Sequence, residues 1–512
     1  MRGAGGIWQA LAAARRANSV GSGEPIPRVA SAGLTRRRLI GALAASAVVP
    51  SMPDVVWAAP RVKIAIVGGG LAGLVALDML VRAGLDATLY EARATCGGRI
   101  RSVTGALGDG LVTDDGGQLV NSDHDDLIAL CRRFALPLVD RQTAPSRDLL
   151  LTGSGVADQG EVVRALKPLA ARIARDARAV DHSTRAAAAI DALSAAHYLD
   201  RIGATGVLRR WIEATIRTEY GVEPADASAL ELVWNLPTVD GNDLEILSAS
   251  DERYVIGGGS QRVTDALATL HADRIRTGAV LQRIGSGGAQ LRLSFANGTT
   301  VEADRVVVAV PASLYRSLTF DVALPNVWRD FLATVDLGRV EKLVVGTNSR
   351  PWQRVMGPAG AVWDGPGFAE AWDATAGQPT LTSGALAFLP GGAQVDGFAA
   401  ADMRTLADRW SAVVEGTLPG FTAARNGRLR RTAWHADPFA KGSYVNYRPG
   451  QISRFLPLLS SDAGRVARVG RLVFAGEHVS DAFPGYMNGA AETGRRAAEA
   501  IIAEVRGRAR RG

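Results

Sequence analysis

Val62 to Val67 is a short, mostly apolar, β-branched run, the pattern of a strand buried on both faces. Gly68-Gly69-Gly70-Leu71-Ala72-Gly73 follows at once, and Leu74 to Ala83 then carries apolar residues at helical spacing until Gly84 ends the run. Ala87 to Tyr90 reads as a second strand with Glu91 at its end. Further along, Leu343–Gly346 and Arg471–Phe474 read as strands. Val162–Val180 and Leu208–Tyr220 read as helices. A last helix is expected from Ala491 to Val505, where Ala491, Gly494, Ala497, Ala498 and Ile501 make a small-residue face suited to close packing.

The first strand, the glycines and the second strand carry chemistry together. Gly68, Gly70 and Gly73 form G-x-G-x-x-G between a strand and a helix. Gly68 allows the tight turn, Gly70 lets a pyrophosphate approach the backbone, and Gly73 lets the helix pack close to the strand. The helix N-terminus then faces the phosphates, and Glu91, at the end of the second strand, can accept both ribose hydroxyls. These features predict an α/β fold with a doubly wound, dinucleotide-binding domain. They leave NAD and FAD both open. No second G-x-G-x-x-G follows any strand, so no site for a nicotinamide donor is evident.

Length and composition narrow the classes. A chain of 512 residues exceeds one compact core, so at least two domains are expected. At 47% hydrophobic and 21% charged, it is neither disordered, collagen-like nor coiled-coil overall. The net charge of +7 is misleading. Residues 1–58 hold seven arginines and two acids, whereas the remainder has 51 basic against 49 acidic residues, which gives no case for nucleic acid. Cys96 and Cys131 cannot build a disulfide framework, the six histidines show no ligand spacing, and no metal is expected. No apolar run is long enough for a stable membrane anchor. Thr35-Arg36-Arg37-Arg38-Leu39-Ile40 resembles a twin-arginine export signal, with Val56-Trp57-Ala58 as cleavage site. Residues 1–58 are therefore read as a signal peptide, the export machinery as a partner, and the periplasm or exterior as the destination.

Glu91-Ala92-Arg93-Ala94-Thr95-Cys96-Gly97-Gly98-Arg99 resembles the stretch that marks FAD-dependent amine oxidases. From there, discontinuous blocks over about residues 61–504 resemble the flavin-dependent monoamine oxidase family. The resemblance implies an FAD-binding domain from 61–130, 253–312 and 442–506, and a mixed α+β substrate-binding domain from 131–252 and 313–441. It gives Gly98 and Arg99 to the pyrophosphate, Gly116 and Gly117 to the loop beside the isoalloxazine, and Val280 to the adenine, and it implies strands at Tyr254–Ile256, Ala279–Ile284 and Asp304–Pro311. Lys342 matches the lysine that holds a water near flavin N5, and Trp352 also fits the pattern. Tyr444 and Tyr486 match the two walls of an aromatic cage. Glu477 is given to the ribityl chain or pyrophosphate and the Met487 amide to flavin O2. Gln118, Trp234, Asn235, Leu236 and Trp434 are candidates to line the substrate site. Where mammalian relatives carry the cysteine that bonds to flavin, this chain has Ser443, so FAD is expected to bind non-covalently.

The implied reaction is oxidation of a small-molecule amine to an imine, which hydrolyses to an aldehyde or ketone, with oxygen reduced to hydrogen peroxide. An L-amino acid oxidase of the same fold is the alternative. Its animal branch holds the carboxylate with an arginine two residues after the Gly-Gly-like pair, where this chain has Leu119. A desaturase or porphyrinogen oxidase lacks a reason for two cage tyrosines. A non-catalytic flavin or redox carrier would bind FAD without bleaching by amines. Oligomeric state is left open, a homodimer among the options.

Overall fold

The computed structural model describes residues 62–153, 155–234, 237–240, 243–246, 250–459 and 466–509. The expected signal peptide, Asn235 and Leu236 lie outside the described residues. The chain divides into two compact units.

One unit comprises 62–98, Val263–Val335 and the described residues from Phe455 onward. Its six-stranded sheet runs Ile275–Arg276, Asp86–Tyr90, Lys63–Val67, Arg305–Val308, Leu472–Phe474, Arg468–Val469. All neighbours are parallel except the last pair. The register places Ile66 between Leu89 and Val307, and Val307 beside Val473. These central residues are fully buried, which is why the strands are continuous β-branched runs rather than alternating ones. The helix Leu71–Arg82 packs against the C-terminal helix Met487–Ala509 through Gly494, where a Cβ would overlap the Ala72 carbonyl. A four-stranded sheet of Thr300–Ala303, Gln290–Phe295, Leu281–Gly287 and Thr319–Asp321 completes this unit's β structure.

The other unit comprises Arg99–Arg262 and Asp336–Arg454. Its largest sheet runs Arg425–Arg431, Leu343–Thr347, Gly384–Leu389, Phe368–Asp373, Ala361–Gly365, Leu149–Thr152, Gly155–Val156. It is antiparallel except where Ala361–Gly365 meets Leu149–Thr152. Trp352, Phe368, Phe388, Phe398, Trp410 and Phe421 form the core on one side. Helices Gln159–His182 and Gly206–Tyr220 belong to this unit, and the second supplies the Thr218 carbonyl that accepts from the Tyr444 hydroxyl.

Grouping by compactness differs from the expected boundaries. Residues 99–130, 253–262 and 442–454 fall with the antiparallel sheet, and 313–335 with the parallel one. The cause is pairing: Tyr254–Ile256 lies between Leu119–Val120 and Leu138–Asp140 in a separate three-stranded sheet. Two element boundaries also shift. The strand expected from Ala279 starts at Leu281, because the Ala279 amide donates to the Glu91 carbonyl (2.8 Å) outside any ladder. The last helix begins at Met487, four residues early: the Ala490 amide already donates to the Tyr486 carbonyl (3.3 Å), and Gly489 is required within it because a Cβ there would overlap the Phe483 carbonyl.

Candidate active site

In the parallel-sheet unit the three motif glycines do different work. Gly68 has φ +106°, and a Cβ there would overlap the Ala309 carbonyl oxygen, so only glycine fits. A Cβ on Gly73 would overlap the Gly68 carbonyl oxygen, so the helix can approach the turn only without a side chain. Gly70 caps the helix in extended backbone (φ −73°, ψ 178°), and a Cβ there would meet no atom within 4 Å. The absence of a side chain at 70 is therefore not required by the protein's own packing. It keeps open a cradle at a helix N-terminus, the place where backbone amides favour an anion.

Glu91 closes one side of this loop. It is buried, its Oε2 accepts from the Gly69 amide (2.6 Å) and its Oε1 accepts from the Arg93 amide (2.8 Å). Gly97 bridges to Gly70 and donates to the Gly69 carbonyl (2.9 Å), while Gly98 takes φ +61° beside Gly70. Cys96 sits against this loop, and burial together with the Glu91 charge pushes its thiol up to about 12, leaving it protonated and unreactive at neutral pH. Val280 is half-buried, and its carbonyl accepts from the Ala296 amide (2.8 Å). Two strands along, at the same C-terminal edge of the parallel strands, buried Glu477 accepts from the Gly485 amide (2.8 Å). It thereby fixes the turn that presents half-buried Tyr486 and the Met487 helix start. Tyr315 reinforces that turn through His478, with hydroxyl and Nε2 2.5 Å apart.

The antiparallel unit holds the lysine. Lys342 precedes the strand Leu343–Thr347, is 9% exposed, and its Nζ donates to the carbonyls of Asp114 and Gly116, each at 2.9 Å. The ammonium lies 5.6 Å from the centre of the Trp372 ring, within cation–π range. A Cβ on Gly116 would overlap the Arg99 carbonyl and touch Trp434 at 3.3 Å. The Gly117 amide donates to the same Arg99 carbonyl (3.2 Å). Trp434 donates its indole N–H to the Asp115 carbonyl (3.0 Å), and Arg101 lies over its ring at 4.6 Å. The buried Asp115 carboxylate pairs with Arg101 (3.0 Å) and with Arg430. Asp114 accepts from the Ser102 hydroxyl (2.5 Å) and the Ser260 amide (3.0 Å). Burial pushes its carboxyl above the usual range, against the pull of the Ser102 hydrogen bond and the Lys342 charge. Half-buried Arg99 donates to the Ser443 carbonyl, and Tyr444 donates its hydroxyl to the Thr218 carbonyl.

The model of the family described as flavin containing amine oxidoreductase matches residues 71–502, most of the chain. The chain belongs to that family. AofH of Mycobacterium tuberculosis is 27% identical over 312 residues, covering 58% of this chain and 67% of its own. The flavin-containing amine oxidase of Oncorhynchus mykiss is 24% identical over 468 residues, 86% of each chain. Among solved structures, cyclohexylamine oxidase from Brevibacterium oxydans aligns with a TM-score of 0.73 at 22% identity, covering 87% of this chain and all of that one. That likeness shows the α/β fold, and the family match makes it an FAD-binding domain with a substrate-binding domain.

This amine oxidoreductase uses FAD. Its residues fit the group: the open cradle over Gly70, the helix start behind it and the buried Glu91 suit a pyrophosphate and a ribose. Ser443 presents a hydroxyl whose oxygen has no partner among the described residues and which cannot form a thioether, so FAD is held non-covalently. The structure brings together Lys342, Arg99, Gly116, Gly117, Gln118, Trp434 and Tyr444 in one unit. It places Gly68, Gly70, Gly73, Glu91, Gly98, Val280, Glu477, Tyr486 and Met487 in the other. Gln118 is buried and donates to the Ala374 carbonyl (3.0 Å). Trp234 ends the helix Ala229–Trp234, half-buried. Trp352 is a core residue packed edge-to-face on Phe421. Sequence reasoning missed Glu341, Thr432, His435 and Arg430. Only Glu341 left a signal, as a second charge at the mouth of an apolar strand.

Proposed function

We propose that the enzyme oxidises a small amine to its imine, which water converts to an aldehyde or ketone, with oxygen taking the two electrons to give hydrogen peroxide. FAD, when bound, supplies the two-electron acceptor for the amine's α-C–H bond. The residues supply orientation and field. Tyr444 and Tyr486 act as the two cage walls that hold the neutral amine, whose lone pair is needed for oxidation. Tyr444 is oriented for this by its hydroxyl bond to the Thr218 carbonyl. Lys342 holds a water and places positive charge where oxygen gains electrons. Glu477 and the helix start at Met487 bind the cofactor, the latter by favouring negative charge at a helix N-terminus.

The observation that carries this reading is the clamp on Lys342, whose ammonium is tied to two carbonyls of the Gly116 loop. In a chain with four lysines against 54 arginines, a buried lysine so placed meets a need for a compact ammonium. The test is to mix the purified yellow protein anaerobically with a panel of amines and α-amino acids and follow loss of flavin colour. Cyclohexylamine and putrescine head the panel, because structural neighbours are oxidases of those amines. Air should then give peroxide in proportion to substrate. Colour that persists before every compound refutes the reading. We further propose that residues 1–58 direct export by the twin-arginine route, which suits a protein that loads its cofactor and folds before it leaves.

A further inference from the structure

Neighbouring residues on an extended segment face opposite ways. Lys342 reaches the carbonyls of Asp114 and Gly116, and Glu341 faces away from it, fully buried. A buried carboxylate is costly unless donors surround it. Glu341 has three: the Thr432 hydroxyl (2.6 Å), the His435 amide (2.9 Å) and His435 Nδ1 (2.8 Å). Thr432 in turn brackets the lysine backbone. Its hydroxyl accepts from the Lys342 amide (2.8 Å), and its own amide donates to the Lys342 carbonyl (3.0 Å). Trp434, between Thr432 and His435, donates to the carbonyl of Asp115, the residue between the two carbonyls that hold Nζ. The bonds therefore close a circuit: lysine head, Gly116 loop, Trp434, His435, Glu341, lysine backbone.

An apolar residue at 341 would fill the same space at lower desolvation cost, but it could not orient a hydroxyl, an amide and an imidazole at once. We infer that Glu341 is a positioning residue, which sets the Lys342 backbone and the Trp434 turn through Thr432 and His435. This rests on the role proposed above for Lys342, and the test separates the two.

Four variants are compared with the wild type: Glu341→Ala, Glu341→Gln, Lys342→Met and the double variant Glu341→Ala/Lys342→Met. Misplacing a catalytic group by a fraction of an ångström should slow turnover by about ten- to a hundredfold in Glu341→Ala. Glu341→Gln keeps an oxygen for both His435 donors and should recover turnover to within about threefold of wild type. On the Lys342→Met background, Glu341→Ala should add no more than about a twofold loss, because residues of one network are not additive. Independently of turnover, hydrogen exchange in the cofactor-free protein should quicken by about tenfold or more at the amides of Lys342 and His435 in Glu341→Ala, and not in Glu341→Gln. If Glu341→Ala does not fold, Thr432→Val takes its place in the same cycle. Full multiplication of the two losses, equal losses in Ala and Gln, or unchanged exchange overturns the inference. Wild-type turnover in Lys342→Met would instead defeat the role of the lysine, and this inference with it.

Discussion

Gly70→Ala separates folding from cofactor binding more sharply than any other change in the glycine motif. The backbone at 70 is extended (φ −73°, ψ 178°), which alanine adopts without strain, and the new methyl would meet no protein atom within 4 Å. Loss of glycine's freedom in the unfolded chain should leave the cofactor-free protein as stable as wild type, or more stable by about 0.4 to 1 kcal/mol. The same methyl would stand in the cradle where phosphate oxygens approach the helix amides. Bonds to charged groups contribute about 1.5 to 3 kcal/mol each, so losing one or two predicts about a hundredfold weaker FAD binding. Gly73→Ala is the control, because its methyl would overlap the Gly68 carbonyl. It should lower the melting temperature of the cofactor-free protein, by the equivalent of about 3 kcal/mol. The assay is a thermal melt of stripped protein followed by titration with FAD, read by quenching of its fluorescence. If Gly70→Ala binds FAD with wild-type affinity, the pyrophosphate does not cross Gly70 and the assigned geometry is wrong. An unstable stripped Gly70→Ala protein would equally contradict the open space seen there.

Four further outcomes are expected. Hydrogen bonds from Arg305 and Arg468 hold the Glu504 carboxyl down to about 2, so its contribution is complete above the ordinary value of 4.5 and is lost as pH falls from there toward 2. Because the group is partly solvated, Glu504→Gln should cost about 1 to 2 kcal/mol at neutral pH and nearly nothing at pH 2, read as melting temperature across the acid range. Lys342→Met should cut turnover by about a hundredfold or more, and steady-state rates equal to wild type would remove its role. Acid precipitation should release all the FAD into the supernatant, and colour left on the pellet would contradict the Ser443 argument. A reporter fused to residues 1–60 should be exported, and Arg36→Lys with Arg37→Lys should stop it; unchanged export in the double variant sinks the signal assignment.

The parts legible in the sequence were those whose cause is local. A β-branched run, a glycine turn and a helix within about thirty residues specify one another through sterics alone, and the structure carries them at Lys63–Val67, Gly68–Gly73 and Leu71–Arg82. What depends on partners far along the chain was not legible. Glu341 meets Thr432 and His435 across 91 and 94 positions, and Asp115 meets Arg430 across 315. No periodicity encodes such pairs, because a charged residue at the end of a strand reads alike whether its partner is water or a distant side chain. The early start of the last helix shows the opposite failure. Asn488 and Gly489 read as turn residues by propensity, yet both lie in the helix, and Gly489 is glycine because a neighbouring carbonyl leaves no room for a Cβ.

The loop at 114–117 shows why that division matters for function. Its position is set by three kinds of interaction that do not substitute for one another. Gly116 fits against the Arg99 carbonyl by shape, Asp115 is held by two guanidinium groups, and Lys342 ties the carbonyls on either side of Asp115. Shape contacts fix the distance of approach but tolerate rotation. The fork of Arg430 on the Asp115 carboxylate resists rotation. The ammonium, with rotatable donors on a flexible stem, can adapt its length but not its charge. On the proposed role of Lys342, a charge anchored to a loop held in these three ways is preorganised rather than recruited during turnover, which is the condition under which charge lowers a barrier.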